Sequence, residues 1–341
     1  TNFEIAFEVL GLKSLNPDID VNNFTEEEIE NIKALSNKIE KEGLDFLTNS
    51  YAPEIHGHKY EKLALIIQQA QPKNNPKKET RDKSNILFLG DPGVAKSKMA
   101  NFITKINSEA KSGSCTGSSH VGLTASLDKD DYGWVVKPGL AVLSSDTCIL
   151  SELNLMADEE KPKMQQAIND MKIEINKASI HQTLPVTAGF VFDANPVSGK
   201  FADNIPLLKQ INLFPPIKDR IDLIFCIRDK PDSKEDREVA EYILNREDRI
   251  KKAEYSTDFL SKFFAFVRSL PEPVIPKELN ESLENIYVEK RKVGNVGARF
   301  FESLIRLSRG VARLRNSNKV EKEDLKMSLE LYEKANPGEW F

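Results

Sequence analysis

The segment that most restricts the fold of this chain is Gly90-Asp91-Pro92-Gly93-Val94-Ala95-Lys96-Ser97. It follows the apolar run Ile86–Leu89 directly and precedes a helix-forming stretch, Lys98–Ile106. A glycine-bearing turn between a buried strand and a helix aims backbone N–H groups and a helix N-terminus at one point, which suits a phosphate. In such a loop the lysine meets β- and γ-phosphate oxygens, and the hydroxyl after it ligates Mg²⁺. Gly90, Asp91, Pro92, Gly93, Val94, Ala95, Lys96 and Ser97 are therefore the candidate cofactor-binding residues, for ATP and for a Mg²⁺ that Ser97 holds together with the nucleotide. Ala95 departs from the general G-x-x-x-x-G-K-[ST] pattern, which has a second glycine at that position.

Further apolar runs occur at Leu140–Leu143, Cys148–Leu150, Val186–Phe192 and Ile221–Ile227, with helical stretches between them. Bare runs of this length predict strands buried on both faces, and hence a parallel sheet sandwiched by helices. Upstream, Thr25 and Glu28 make a capping-box pair, and Ile29, Ile32, Leu35 and Ile39 repeat at helical spacing. A helix is expected from about 25 to 41, and another over Lys59–Gln69. The polar, basic stretch 71–85 is broken by prolines and reads as an exposed loop. Beyond Tyr255 the pattern is helical throughout: Phe259, Phe263 and Phe266, then Leu283 and Ile286, then Phe300, Leu304 and Leu307, then Leu325 and Leu329.

Composition narrows the function classes. A formal net charge of -5 argues against a surface that grips nucleic acid everywhere, but leaves room for a local basic loop or a basic pore. Cys115, Cys148 and Cys226 are far apart and lack C-x-x-C spacing, so they read as free thiols rather than disulfides or zinc ligands. No run of about 18 apolar residues occurs, so no membrane partner is expected. The first residue is Thr1, which suggests a fragment of a longer protein.

The phosphate loop, read as GDPGVAKS, resembles the form found in the MCM family of AAA+ replicative helicases, in which alanine precedes the lysine. Tyr51-Ala52-Pro53-Glu54-Ile55-His56-Gly57 is similar to that family's APxIyGH segment, a region near the adenine. Gly122-Leu123-Thr124-Ala125, with Asp130 and Trp134, resembles the insert within the second helix of the family core, and Pro138-Gly139-Leu140 resembles the start of PGALVLAD. Asn195-Pro196 resembles the end of the sensor-1 phrase AANP. The matches run in order from about residue 3 to about 336. They imply an α/β AAA+ P-loop NTPase followed by an all-helical lid domain. Residues 1–45 would be the end of an N-terminal region and a linker helix, 46–250 the ATPase domain, and 251–341 the lid.

By the same resemblance, Glu152 stands in the place of the catalytic base and Asn195 in that of sensor 1, which orients the attacking water. Arg220 matches the arginine of the SRFD motif, a finger offered to a neighbour's nucleotide, and Arg299 matches sensor 2, which also acts across the subunit boundary. Asp219 replaces the serine before the finger and would pair with Arg220. Ile173–Ile180 resembles the presensor-1 hairpin, whose lysine, here Lys177, faces DNA in the pore of a ring, normally a hexamer of like or related subunits. Such phosphate contacts carry no sequence readout. One departure limits the analogy. Where the family has CIDEFDKM, this chain has Cys148-Ile149-Leu150-Ser151-Glu152-Leu153-Asn154-Leu155-Met156. Ser151 takes the place of the aspartate that steadies Mg²⁺, so nucleotide binding is expected to survive and hydrolysis to be impaired.

Three functions follow as expectations. The first is an ATP-dependent DNA helicase module, cytoplasmic in a prokaryote or nuclear in a eukaryote. The second is a hydrolysis-poor paralogue serving as a structural ring subunit. The third is a remodeller of the MoxR or magnesium-chelatase type.

Overall fold

The computed structural model describes residues 19–116, 122–130, 133–177, 180–202, 204–213, 217, 219–294 and 296–336. The short apolar alternation at about residues 3–10, whose pattern suits the end of a strand, and His120, whose setting reads as a loop, lie outside these. Helix α1, Glu26–Glu42, begins as its sequence predicts, with the Thr25 hydroxyl accepting from the Glu28 N–H and the Glu28 carboxylate accepting from the Thr25 N–H. It buries Ile32, Leu35 and Ile39 and stops at Gly43, in the left-handed region at φ +80°. Helix α2, Lys59–Ala70, is buried continuously from Lys62 to its end, as befits a helix wedged between other elements.

The α/β core then runs through β1 (Ile86–Gly90), α3 (Lys96–Asn101), α4 (Ile103–Ile106) and β2 (Lys111–Ser114). An antiparallel hairpin, β3 (Ala125–Asp130) with β4 (Gly133–Pro138), leads to the short helix α5 (Leu140–Leu143). Strand β5 (Thr147–Ser151), α6 (Lys161–Asp170), the hairpin β6 (Lys172–Lys177) and β7 (Ile180–Pro185), β8 (Gly189–Ala194) and β9 (Leu223–Ile227) complete it. Helices α7 (Ser233–Leu244) and α8 (Arg246–Lys251) lead to the helical part, made of α9 (Thr257–Ser269), α10 (Asn280–Val293), α11 (Ala298–Leu314) and α12 (Lys322–Ala335).

Five strands form one parallel sheet in the order β2-β5-β8-β1-β9, with the phosphate-loop strand between β8 and β9. Its strands are apolar on both faces because both faces are covered. Ile86, Phe88, Ile149, Val191 and Phe225 pack with α2, α3, α4 and residues of α9, α11 and α12. Leu87, Leu89, Cys148, Leu150, Phe190 and Phe192 pack on the other side with Met164, Ala167 and Ile168 of α6. The helical part therefore shares a core with the sheet rather than resting on its surface.

Two expectations need correction. Leu140–Leu143 is a single helical turn, not a strand, closed by the Ser144 N–H on the Leu140 carbonyl. Its first N–H groups, at Leu140 and Ala141, are taken up by the carbonyls of Gly122 and Leu123, so a four-residue apolar run finds its bonds without joining the sheet. The stretch 71–85 is a loop, but it is not exposed throughout, because Gln71, Asn74, Lys83, Ser84 and Asn85 are buried. Their polar groups are satisfied inside. The Asn74 side chain accepts from the Lys83 N–H and donates to the Ala188 carbonyl, and the Lys83 ammonium meets both Asp146 oxygens at 2.6 Å.

Candidate nucleotide site

The phosphate loop leaves the C-terminal end of β1 and turns into α3. Gly90 is required there by close approach, because a Cβ at that position would lie 2.5 Å from the Ile227 carbonyl oxygen. Ala95 adopts φ +61°, the left-handed region where alanine is strained and glycine is not. The turn keeps its geometry regardless. Asp91 explains part of this, since one of its oxygens accepts from the Phe201 N–H and the other from the Asp229 N–H, both at 2.8 Å. Its carboxylate is thus spent on holding three loops together.

Lys96 is buried at the centre of the turn, its ammonium donating to the Gly90 and Asp91 carbonyls at 2.8 and 2.7 Å. Burial lowers its pKa, opposed by the nearby carboxylates of Asp193 and Asp91. Ser97 follows in the first turn of α3. Beside the loop lies a cleft of about 370 Å³ lined by Ile55, His56 and His58, by Val94 and Ala95, and by Tyr242 of α7. The segment Tyr51–Gly57 therefore borders the loop, and its His56 ring meets Tyr242 edge-on at 5.0 Å.

Glu152 sits just past the end of β5 at φ +61°, with its N–H on the Asp193 carboxylate at 3.1 Å. Its own carboxylate accepts from the hydroxyls of Thr116 at 2.5 Å and Ser114 at 2.7 Å, which hold its pKa below the usual range. Asn195 follows β8, its N–H held by the Asn154 amide oxygen at 3.1 Å. Asn154, in sequence a lost acid, thus serves as a strut. These groups converge at one edge of the sheet, the end at which α/β folds bind ligands.

Arg220 and Arg299 lie at the other edge. Arg220 precedes β9, its carbonyl accepting from the Asn85 side chain just ahead of β1. The strand between Asn85 and the phosphate loop spans about 16 Å at 3.3 Å per residue. Arg299, exposed in the first turn of α11, donates to the Asp219 carbonyl at 3.0 Å. Burial and the nearby Arg299 lower the Arg220 pKa from its ordinary value, opposed by Asp219. Lys177 ends β6, paired with Ile180 across the hairpin. Sequence reasoning does not find Asp193, although Asp193-Ala194-Asn195-Pro196 places an acid where AANP has an alanine.

Comparison with known proteins agrees with this layout. Residues 28–247 match the MCM P-loop domain, and residues 258–336 match the MCM AAA-lid domain. The chain belongs to the MCM family. An uncharacterized MCM-type protein of Methanocaldococcus jannaschii is 30% identical to it, over 96% of this chain and 50% of that protein. The minichromosome maintenance protein MCM of Saccharolobus solfataricus is 30% identical with the same two coverages. The DNA replication licensing factor mcm4 of Schizosaccharomyces pombe is 31% identical, over 90% of this chain and 36% of that one. The chain spans about half the length of the first two relatives, and the matched part carries the P-loop and lid units of an MCM protein.

Proposed function

We propose that the chain is the ATP-hydrolysing motor unit of an MCM-type DNA helicase, working in a ring of like or related subunits with DNA in the pore. The observation that carries this reading is the strand–loop–helix at Gly90–Ser97, with Lys96 at its centre and the Ile55–His58 cleft beside it. In this reading the loop N–H groups and Lys96 hold the phosphates of ATP. The cleft takes the base. Glu152, a carboxylate at neutral pH, accepts the proton of the attacking water once freed from its two hydroxyls, and Asn195 orients that water. Bound Mg²⁺ neutralises charge on the phosphate oxygens, and Ser97 is one of its holders.

Arg220 and Arg299 lie too far from their own loop to serve it, which supports action on a neighbour's nucleotide in a hexamer. Lys177 touches DNA phosphates in this arrangement. Ser151 on its own implies slow hydrolysis, because a hydroxyl steadies a divalent ion less than a carboxylate does. The names of the relatives, a maintenance protein and a replication licensing factor, favour replication as the setting.

Steady-state ATP hydrolysis with and without single-stranded DNA tests this reading, using Lys96→Ala as the control. Phosphate release that vanishes in the variant, and that DNA stimulates, supports a DNA-linked ATPase. Equal release from both proteins overturns it.

A further inference from the structure

The loss of the β5 aspartate leaves open which group steadies the metal. Strands β5 and β8 are neighbours, paired Thr147 to Gly189 through Leu150 to Phe192. One step further along that register brings Ser151 abreast of Asp193, about 4.8 Å away across the sheet. Both residues face the same way. Ile149 and Val191, two positions earlier on each strand, pack into the core with Met99 and Ala100 of α3, so Ser151 and Asp193 point to the side of the sheet that carries the phosphate loop and its helix.

The state of the Asp193 carboxylate is unusual. The residue is 3% exposed, and its Oδ1 accepts from the Glu152 N–H. Its Oδ2 is buried and has no hydrogen-bond partner among the described residues. Lys96 is near enough to offset part of its charge, but a buried oxygen without a hydrogen bond is destabilising and calls for a further ligand or cation. The other acids near the site are already committed. Both Asp91 oxygens take backbone N–H groups, Glu152 accepts two hydroxyls, and Asp146 is sealed against Lys83 at the far end of β5.

We infer that Asp193, on β8, replaces the missing β5 acid as the outer carboxylate of the Mg²⁺–nucleotide site. It would act through the metal's water shell, with Ser97 as the other holder and Ser151 leaving room beside it. The inference rests on the nucleotide-site reading above. In this arrangement the acid has moved one strand sideways and its charge remains at the same edge of the sheet. Its bond to the Glu152 N–H also ties the metal site to the proposed base.

The test uses the whole chain and its Asp193→Asn, Ser151→Asp and double variants. Asparagine keeps the shape and the acceptor for the Glu152 N–H but removes the charge. A fluorescent, non-hydrolysable ATP analogue is titrated in EDTA and in Mg²⁺, and Mn²⁺ affinity of the nucleotide complex is read by electron paramagnetic resonance. Asp193→Asn is expected to bind the analogue as tightly as the parent in EDTA. It should lose about 10-fold or more in Mn²⁺ affinity, the usual effect of removing an outer-shell partner. Ser151→Asp should restore most of that loss in the double variant. Unchanged Mn²⁺ affinity in Asp193→Asn overturns the inference. So does an equal loss of analogue binding with and without metal, which would make Asp193 a counter-ion for Lys96. A parent chain that binds no analogue in either condition instead overturns the nucleotide-site reading itself.

Discussion

Ala95 shows how the site tolerates local strain. A non-glycine residue in the left-handed region costs about 1–2 kcal/mol, and the Asp91 staples hold the turn in place. Ala95→Gly removes that strain but adds flexibility to the unfolded chain, which offsets about 0.4–1 kcal/mol. The expected outcome is a net gain of about 0.5–1 kcal/mol in stability, read from the urea unfolding midpoint with an unchanged slope. The residues of the loop are legible in sequence because eight consecutive positions carry the whole geometry. Asp193 is not. Its departure from AANP marks the position without saying what the acid does, and that meaning arises only when the register sets it beside Ser151.

The elements show where periodicity succeeds and where it fails. Helix α1 is legible because its capping box and its apolar stripe agree. The run Leu140–Leu143 misleads because four apolar residues fit a strand and a helical turn equally well, and bonds to residues 122–124 decide the outcome. The buried part of 71–85 misleads because polar residues that satisfy one another inside look the same in sequence as polar residues in water. Hairpin β6–β7 carries a prediction at this scale. If Lys177 touches phosphates, Lys177→Ala weakens binding to all single-stranded sequences alike and makes the salt dependence shallower by about one unit for each phosphate it no longer neutralises. Fluorescence anisotropy over a salt series reads this, and an unchanged slope would remove Lys177 from the DNA surface.

At the scale of the whole molecule, the helical part is locked to the sheet by a buried ion cluster. Asp222, at the entry to β9, meets Arg306 of α11 at 2.5 Å and Arg81 at 3.4 Å, and accepts the Asn85 N–H at 2.7 Å. Next to it in the same interface, α11 lies so close to α2 that a Cβ on Gly310 would come within 2.8 Å of Ile67. Asp222→Asn leaves the buried Arg306 and the largely covered Arg81 without the carboxylate they share, and a loss of about 3–5 kcal/mol is expected in chemical unfolding. Burial alone would raise the Asp222 pKa, but Arg306 and Arg81 outweigh it and hold the carboxyl below its ordinary value. The stabilisation is therefore complete above the unfolded pKa of about 4 and fades as pH falls through the lower folded value. An acid titration of stability should show a fall below about pH 4 in the parent that is smaller in Asp222→Asn.

The separation of Arg220 and Arg299 from their own phosphate loop has a geometric consequence. A chain with its nucleotide site on one rim and its arginines on the opposite rim is directional, like a link with a hook and an eye. If Arg220 and Arg299 act on a neighbour's nucleotide, as proposed, two such chains related by a twofold axis would bring like rims together and complete neither site. A head-to-tail contact would then be required, and its repetition must either close into a ring or run on as a filament.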